Sequence, residues 1–300
     1  MNTIDNFTLK LILGRLADGE AIQCVQVCKL WNKTIAFSKK KININSLYSN
    51  PDLNVIKWTK NVCKINYDVL CNKFARYGNL NGLIWARAEG CQWNRAACMN
   101  AAEGGHLDIL MWLREMECSW DSWTCMYAAI NGHLDVLKWA RANGCPWDEY
   151  TCAWAAINGH LDVIKWARAN DCPWDEDTCD AAARGGHLDV LKWARANGCP
   201  LSINIFTIAA VGGHLGVLKW IRAEDCPWNK NVCAAAAGEG HLDILKWARA
   251  EGCPWDENTC SGAANGGHLD VLKWARANGC PWDEDTGFRA AVAGHLDVLK

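Results

Sequence analysis

All eight histidines of this 300-residue chain stand in one register, from His106 through His133, His160, His187, His214, His241 and His268 to His295, at a constant interval. Eighteen cysteines accompany them, most in two further columns seven apart, as at Cys145 and Cys152. Imidazole and thiolate are the ligands of zinc, and imidazole is the side chain that titrates near neutral pH, so metal binding and acid–base catalysis are the first chemistries to weigh. Neither suits the pattern. The second cysteine column contains Phe206 and Gly287 while Cys199 and Cys280, seven positions before them, persist; a ligand set or a disulfide would not survive losing one member. The histidine column opens with Asn79, which can hydrogen-bond at a helix start but does no acid–base chemistry near neutral pH. A catalytic centre does not come in eight copies along a rod, and there is no nucleophile–base pair, phosphate-cradling glycine loop or carboxylate pair. The cysteines are expected to pack as small buried hydrophobes and the histidines to be structural, with no catalytic residue, metal or cofactor.

The elements that position these columns follow from one unit, residues 132–158. A period as strictly kept as that of the histidines indicates stacked supersecondary units with an extended functional surface. Asp148 shares its column with Asn94, Asp121, Asp175, Ser202, Asn229, Asp256 and Asp283, all residues that accept a free amide of a first helical turn. A first helix therefore starts here, runs through the pair Ala155–Ala156, and stops near Asn158–Gly159. A second starts at His133, with Asp135 at the positive end of its dipole and Arg141 in its last turn, and ends before Pro146. At about 10 residues, each helix is shorter than the roughly 12–15 at which isolated helices become marginal, so stacking must hold it. Leu134, Val136, Leu137, Trp139 and Ala140 supply the apolar side and Trp147 fills the connector. Each fully buried indole would remove about 150–250 Å² from water, on the order of 4–6 kcal/mol gross. The Ala–Ala pair recurs in eight units, from Ala101–Ala102 to Ala290–Ala291, where neighbouring helices must approach closely.

The run Ala-Ala-x-x-Gly-His-Leu-Asp-Val-Leu-Lys, a short helix and then Asn-Gly-Cys resembles the ankyrin repeat, over about residues 51–300. With its Lys-Trp-Ala-Arg-Ala-Asn-Gly-Cys-Pro-Trp segment it is similar to the divergent form abundant in large DNA viruses and some protists. The resemblance implies an all-α, ankyrin-like helical solenoid of about nine 27-residue helix-turn-helix repeats. The usual ankyrin period is about 33 residues, so the β-hairpin finger should be trimmed to a tight loop. Residues 51–77 read as a degenerate N-terminal capping repeat, with Trp58, Cys71 and Ala75 in register, and residues 78–300 as the array, whose last repeat is truncated at Lys300.

Residues 3–45 leave the period. Leu9, Ile12, Leu13 and Leu16 form one apolar helical stripe, Ala17–Asp18–Gly19 breaks it, and Val27, Cys28, Lys29, Trp31 and Asn32 follow. Two helices this small need a partner chain or the adjoining stack. The pattern resembles the F-box, with Ile4–Asp5 in place of that family's Leu-Pro. The resemblance implies docking onto the adaptor subunit of a cullin-type ubiquitin ligase through Leu9, Ile12, Leu13, Leu16, Val27, Cys28 and Trp31. The other reading of these helices is a cap on the solenoid.

Comparison of the units with one another separates scaffold from surface. The columns of Tyr150, Ala153, Trp154 and Ile157 vary freely, and their i, i+3, i+4, i+7 spacing places them on one helix face. That face carries Trp123, Met126, Tyr127 and Ile130, then Tyr150, Trp154 and Ile157, then Asp177 and Arg184. An aromatic patch rimmed by charge suits a protein partner, while packing between adjacent first helices is the alternative. In ankyrin families this face lines the binding groove. The Lys138 and Arg141 columns read as a solvated outer row, with Asp135 near enough to neutralise Lys138.

A net charge of −2 gives no electrostatic case for nucleic acid or an anionic membrane. No basic stretch followed by an apolar run opens the chain, and no segment is long enough to span a bilayer; a cytoplasmic or nuclear location is expected. Together these readings point to a monomeric, non-enzymatic adaptor that holds a ligase subunit at residues 3–45 and a target protein in the repeat groove.

Overall fold

The computed structural model describes residues 67–224 and 226–295. Residues 3–45, most of the capping repeat and the stretch 296–300 lie outside the described residues, and with them the expectations for the F-box-like segment and for the last half-repeat.

Among the described residues there are seventeen α-helices and no strand. They alternate as first and second helices of successive repeats: α1 (Tyr67–Arg76) and α2 (Leu80–Ala88), α3 (Arg95–Glu103) and α4 (Leu107–Glu115), α5 (Ser122–Ile130) and α6 (Leu134–Ala142), α7 (Glu149–Ile157) and α8 (Leu161–Ala169). The series continues with α9 (Glu176–Gly185) and α10 (Leu188–Ala196), α11 (Ile205–Gly212) and α12 (Leu215–Ala223), α13 (Asn231–Gly238) and α14 (Leu242–Ala250), α15 (Glu257–Gly266) and α16 (Leu269–Ala277), and α17 (Glu284–Val292). The chain divides into two compact units, residues 1–128 with 133–146 and residues 129–132 with 147–300. In the first, α1 packs on α3 and α4 on α6. In the second, the first helices α7, α9, α11, α13, α15 and α17 pack in sequence, each but the last also against its own second helix.

Local sequence explains where the helices start and stop. Six of the eight residues of the Asp148 column accept a backbone N–H of the first turn, Asn94 at 2.9 Å and Asp283 at 3.0 Å among them, while Ser202 accepts from Asn204 N, just ahead of α11. Asp148 is the exception: it makes no capping bond, and its Oδ1 is buried without a partner. The second helices differ from expectation. Asn79 caps α2 through Gly82 N at 2.9 Å, but the histidines that open α4, α6, α8, α10, α12, α14 and α16 make no side-chain cap. After α6 the chain turns through left-handed Gly144 (φ +83°), which lets Cys145 N reach Ala140 O at 3.0 Å, a Schellman closure that satisfies an otherwise orphaned carbonyl. The connector 143–148 is thus a tight loop.

The histidines act between repeats instead. The His133 ring Nε2 donates to Glu103 O at 3.2 Å, His187 to Ile157 O at 3.1 Å and His214 to Arg184 O at 3.0 Å, each reaching the last turn of the preceding repeat's first helix. The ring covers that repeat's own glycine: a Cβ on Gly105 would lie 2.6 Å from His133 Cε1, and one on Gly186 2.4 Å from His214 Nδ1. Gly and His recur together because the glycine of one repeat is the floor on which the next histidine sits.

The core lies between helices. Val136, Leu137, Ala140, Val163, Ile164 and Ala167 are fully buried, as are the alanine pairs of α7, α9, α11, α13 and α15; each buried Val, Leu or Ile stabilises by about 1.5–3 kcal/mol. The tryptophans do not reach the full burial expected of them. Most stay half-buried and meet in T-shaped pairs, a connector ring against the ring on the second helix of the same repeat, as in Trp120–Trp139 (5.9 Å) and Trp147–Trp166 (5.8 Å). Their outer faces carry arginine: Arg114 lies 4.2 Å from the Trp120 ring centroid and Arg168 4.4 Å from that of Trp174, while the same guanidinium donates to the carbonyl of the intervening cysteine, Cys118 or Cys172. The expected salt-bridged outer row is therefore corrected. The arginines clamp the connector, and no Asp135-column to Lys138-column ion pair forms among the described residues, where the ion pairs are Arg76–Glu103, Arg95–Asp121 and Lys230–Asp256.

The cysteine columns are also paired differently. Thiols meet across adjoining repeats and not across the seven-residue step within a column pair: Cys98 with Cys118, Cys152 with Cys172, Cys179 with Cys199, Cys233 with Cys253 and Cys260 with Cys280. Hydrogen bonding to the partner thiol, then burial, holds the thiols of Cys98, Cys179, Cys233 and Cys260 above the usual range, which keeps them neutral and packed. Cys71 and Cys91, in the same register, are joined as a disulfide, a difference from the all-thiol expectation that arises because the stack brings these two sulfurs together. Phe206 replaces the thiol that would face Cys226, and its ring meets Trp228 at 5.5 Å.

Candidate functional site

The variable columns of the first helices separate once packed. In the second unit Tyr150 and Trp154, one turn apart on α7, are 50% and 40% exposed. Ala153, between them in sequence, is buried at 8%, and its column-mate Ser261 at 3%. Ala153 and Ser261 therefore pack, whereas Tyr150 and Trp154 face solvent. Ile157 is half-buried, with its carbonyl held by His187 and pressed against Gly185 of α9, where a Cβ would lie 2.2 Å from Ile157 O. That contact belongs to the packing of α7 on α9, and the repeat period places Asp177 in the column of Tyr150 and Ala181 in that of Trp154.

On α9, Asp177 and Arg184 are exposed and Asp180 is half-buried. Asp180 accepts a hydrogen bond from Ser202 Oγ at 2.7 Å. Burial pushes its carboxyl up to about 6, the Ser202 bond works against that, and the charges of Asp177, Glu176 and Asp175 add to it. Asp175 is raised as well, first by desolvation and with a contribution from Glu149 of α7. The α7–α9 face thus combines two open aromatic rings with crowded carboxylates.

In the first unit, Trp123 is 53% exposed and stacks on half-buried Tyr127, with centroids 6.3 Å apart and planes at 25°. Met126 is half-buried there. Ile130 is half-buried in the second unit, where its carbonyl accepts from His160 Nε2 at 3.2 Å. Of the residues chosen from the sequence, Trp123, Tyr150, Trp154, Asp177 and Arg184 are exposed; Met126, Tyr127, Ile130 and Ile157 divide their surface between packing and solvent.

No protein-family model matches the chain, and no curated protein sequence does. Among solved structures it is similar to the ankyrin repeat domain of human ASB11, at 17% sequence identity over 52% of this chain and 83% of that one, with a TM-score of 0.43. The described residues form an all-α array of helix-turn-helix repeats. The helix-turn-helix pairs, returning at one fixed interval with tight loops between them, are what carries that description.

Two parts of this face were not evident from the sequence. Asp180 is the one charged residue in a column that elsewhere holds uncharged side chains from Met99 to Phe288, so its oddity was visible, but its bond from Ser202, in the next repeat, was not. Asp175 reads from the sequence as a helix cap, and only the packing of α7 on α9 brings Glu149 within reach of it. Among the described residues no group of three or more His, Cys, Asp or Glu side chains is arranged to hold a metal ion, and no helix is long and apolar enough to cross a membrane.

Proposed function

We propose that the chain is a protein-binding scaffold, with a partner lying against exposed aromatic side chains of the first helices. The observation that carries this reading is Trp154. It keeps 40% of its surface in solvent in a column where other repeats hold Ala181, Ala235 and Gly262, so packing does not require an indole there, whereas a protein interface uses such anchors. Affinity capture by the full chain and by Trp154→Ala, compared by mass spectrometry, tests it: a set of proteins retained by the former and lost by the latter, at equal melting temperature, is expected. Identical captures would refute it.

In its finer form the scaffold is a substrate adaptor of a cullin-type ubiquitin ligase. Residues 3–45 hold the ligase adaptor subunit and the repeats hold the target, so that linkage supplies effective concentration. The F-box resemblance of Leu9, Ile12, Leu13, Leu16, Val27, Cys28 and Trp31 supports it. A second reading, in which those helices only cover the adjoining repeats, is favoured by Ile84 and Met111, exposed at 47% and 39% in the column that carries Lys138 and its successors. Co-purification of the ligase adaptor with the full chain, lost on Leu13→Glu, supports the adaptor; its absence leaves the cap.

A further inference from the structure

We propose that the segment docked on α7 and α9 is a cationic stretch of a partner polypeptide, an arginine of which lies on Trp154 or Tyr150 and pairs with Asp177 and Asp180. This rests on the protein-binding reading and names the chemistry of the partner. Three observations carry it. First, the two rings are open to solvent on a face whose neighbouring positions are acidic, and rings of this type attract guanidinium through their negative faces. Second, the acidity extends past what the helix itself favours. The first turn of α9 has a local reason to be acidic, since Glu176 and Asp177 oppose the helix dipole. Asp180 lies beyond that turn, as the one charged residue of a column that otherwise runs from Met99 to Phe288, and half-buries a carboxyl crowded by three others, an arrangement that a folded stack alone does not call for. Third, none of these carboxylates is in an ion pair among the described residues; the only ion pair of the second unit there is Lys230–Asp256. The molecule itself shows the contact in question, with Arg168 4.4 Å from the Trp174 ring and Arg249 4.2 Å from that of Trp255. Arg184 marks one edge of the face, so the bound cations lie toward the N-terminal turns of α7 and α9.

The test is fluorescence anisotropy of the full chain with a short labelled Arg/Gly peptide, against Glu/Gly and Ser/Gly peptides of equal length. Saturable binding to the Arg/Gly peptide is expected, about tenfold or more tighter than to the Ser/Gly peptide, and weakened about tenfold by Trp154→Ala and by the Asp177→Asn, Asp180→Asn double variant. Asp177→Asn alone, at an exposed position, checks that any loss is not unfolding, and melting curves accompany each variant. Equal binding of the Arg/Gly and Ser/Gly peptides, or Arg/Gly binding indifferent to the aspartate variants, overturns the proposal. Proteins captured through Trp154 but not displaced by the Arg/Gly peptide would overturn it while leaving the protein-binding reading intact; captures indifferent to Trp154 would remove that reading as well.

Discussion

The seam where a histidine ring covers the preceding repeat's glycine and the open face of α7 and α9 draw on the same helices, yet they accept change in opposite ways. At the seam, His214 bonds Arg184 O while its ring leaves no room for a Cβ on Gly186. A few residues away, Trp154, Ala181, Ile208, Ala235 and Gly262 all occupy one column. The difference is one of neighbours: seam atoms meet a backbone that cannot move without unstacking a repeat, whereas exposed side chains end in water. Constancy in this chain marks close backbone approach, and variation at positions that end in water leaves a surface free to be used for recognition.

The largest effect belongs to the seam. Gly186→Ala places a methyl 2.4 Å from His214 Nδ1 at φ +79°, combining left-handed strain with overpacking, and about 3 kcal/mol of stability should be lost in urea denaturation. A loss no greater than that of a surface variant would erase the contrast. Next come two tryptophans. Trp166, packed against Trp147 and the buried Cys152, Ala167 and Cys172 cluster, should cost about 2–3 kcal/mol on replacement by alanine, against roughly 0.5 kcal/mol or less for Trp154→Ala. Equal melting losses would show that the open face is structural after all.

Smaller gains sharpen the boundary inside α7. Thr151 is fully buried with its hydroxyl unsatisfied, and its column holds Ile205 and Val232 elsewhere; Thr151→Val should stabilise by about 1 kcal/mol, read from the urea midpoint. The smallest effect depends on pH. Because the folded chain holds Asp180 up to about 6, above the ordinary carboxylate value near 3.9, the folded state binds its proton more tightly than the unfolded one. Its charge therefore subtracts stability in full above pH about 6 and not at all below about 4. Asp180→Asn should gain roughly 0.5 kcal/mol at pH 7.5, discounted for partial exposure, and nothing at pH 4. A gain that persists at pH 4 would mean that packing, not charge, is responsible.

Much of the fold was legible in advance because its causes are local. The cap column, the glycine stops and the apolar spacing of Val136, Leu137 and Ala140 each act within a turn or two of helix, and most helices appear where those residues place them; α11 starts later, at Ile205, three residues after Ser202. The candidate face was legible only in part. The period marks Tyr150, Ala153, Trp154 and Ile157 as variable, but variability does not separate Ala153, buried at 8%, from Trp154, exposed at 40%, since both lie on one side of α7 and only the neighbouring helix covers one of them.

From the chain alone came the unit, its two helices and its apolar columns, all of which follow from propensity and spacing at short range. Stacking decided who meets whom. His133 bonds the Glu103 carbonyl of the repeat before it, Cys98 faces the thiol of Cys118 beyond the next helix, Arg114 covers Trp120 rather than pairing with an acid, and Ser202 reaches Asp180. Those partners depend on the offset with which one repeat settles on the next, and that offset is set by the close packing of alanines, glycines and imidazoles across the interface rather than by any residue's own preference.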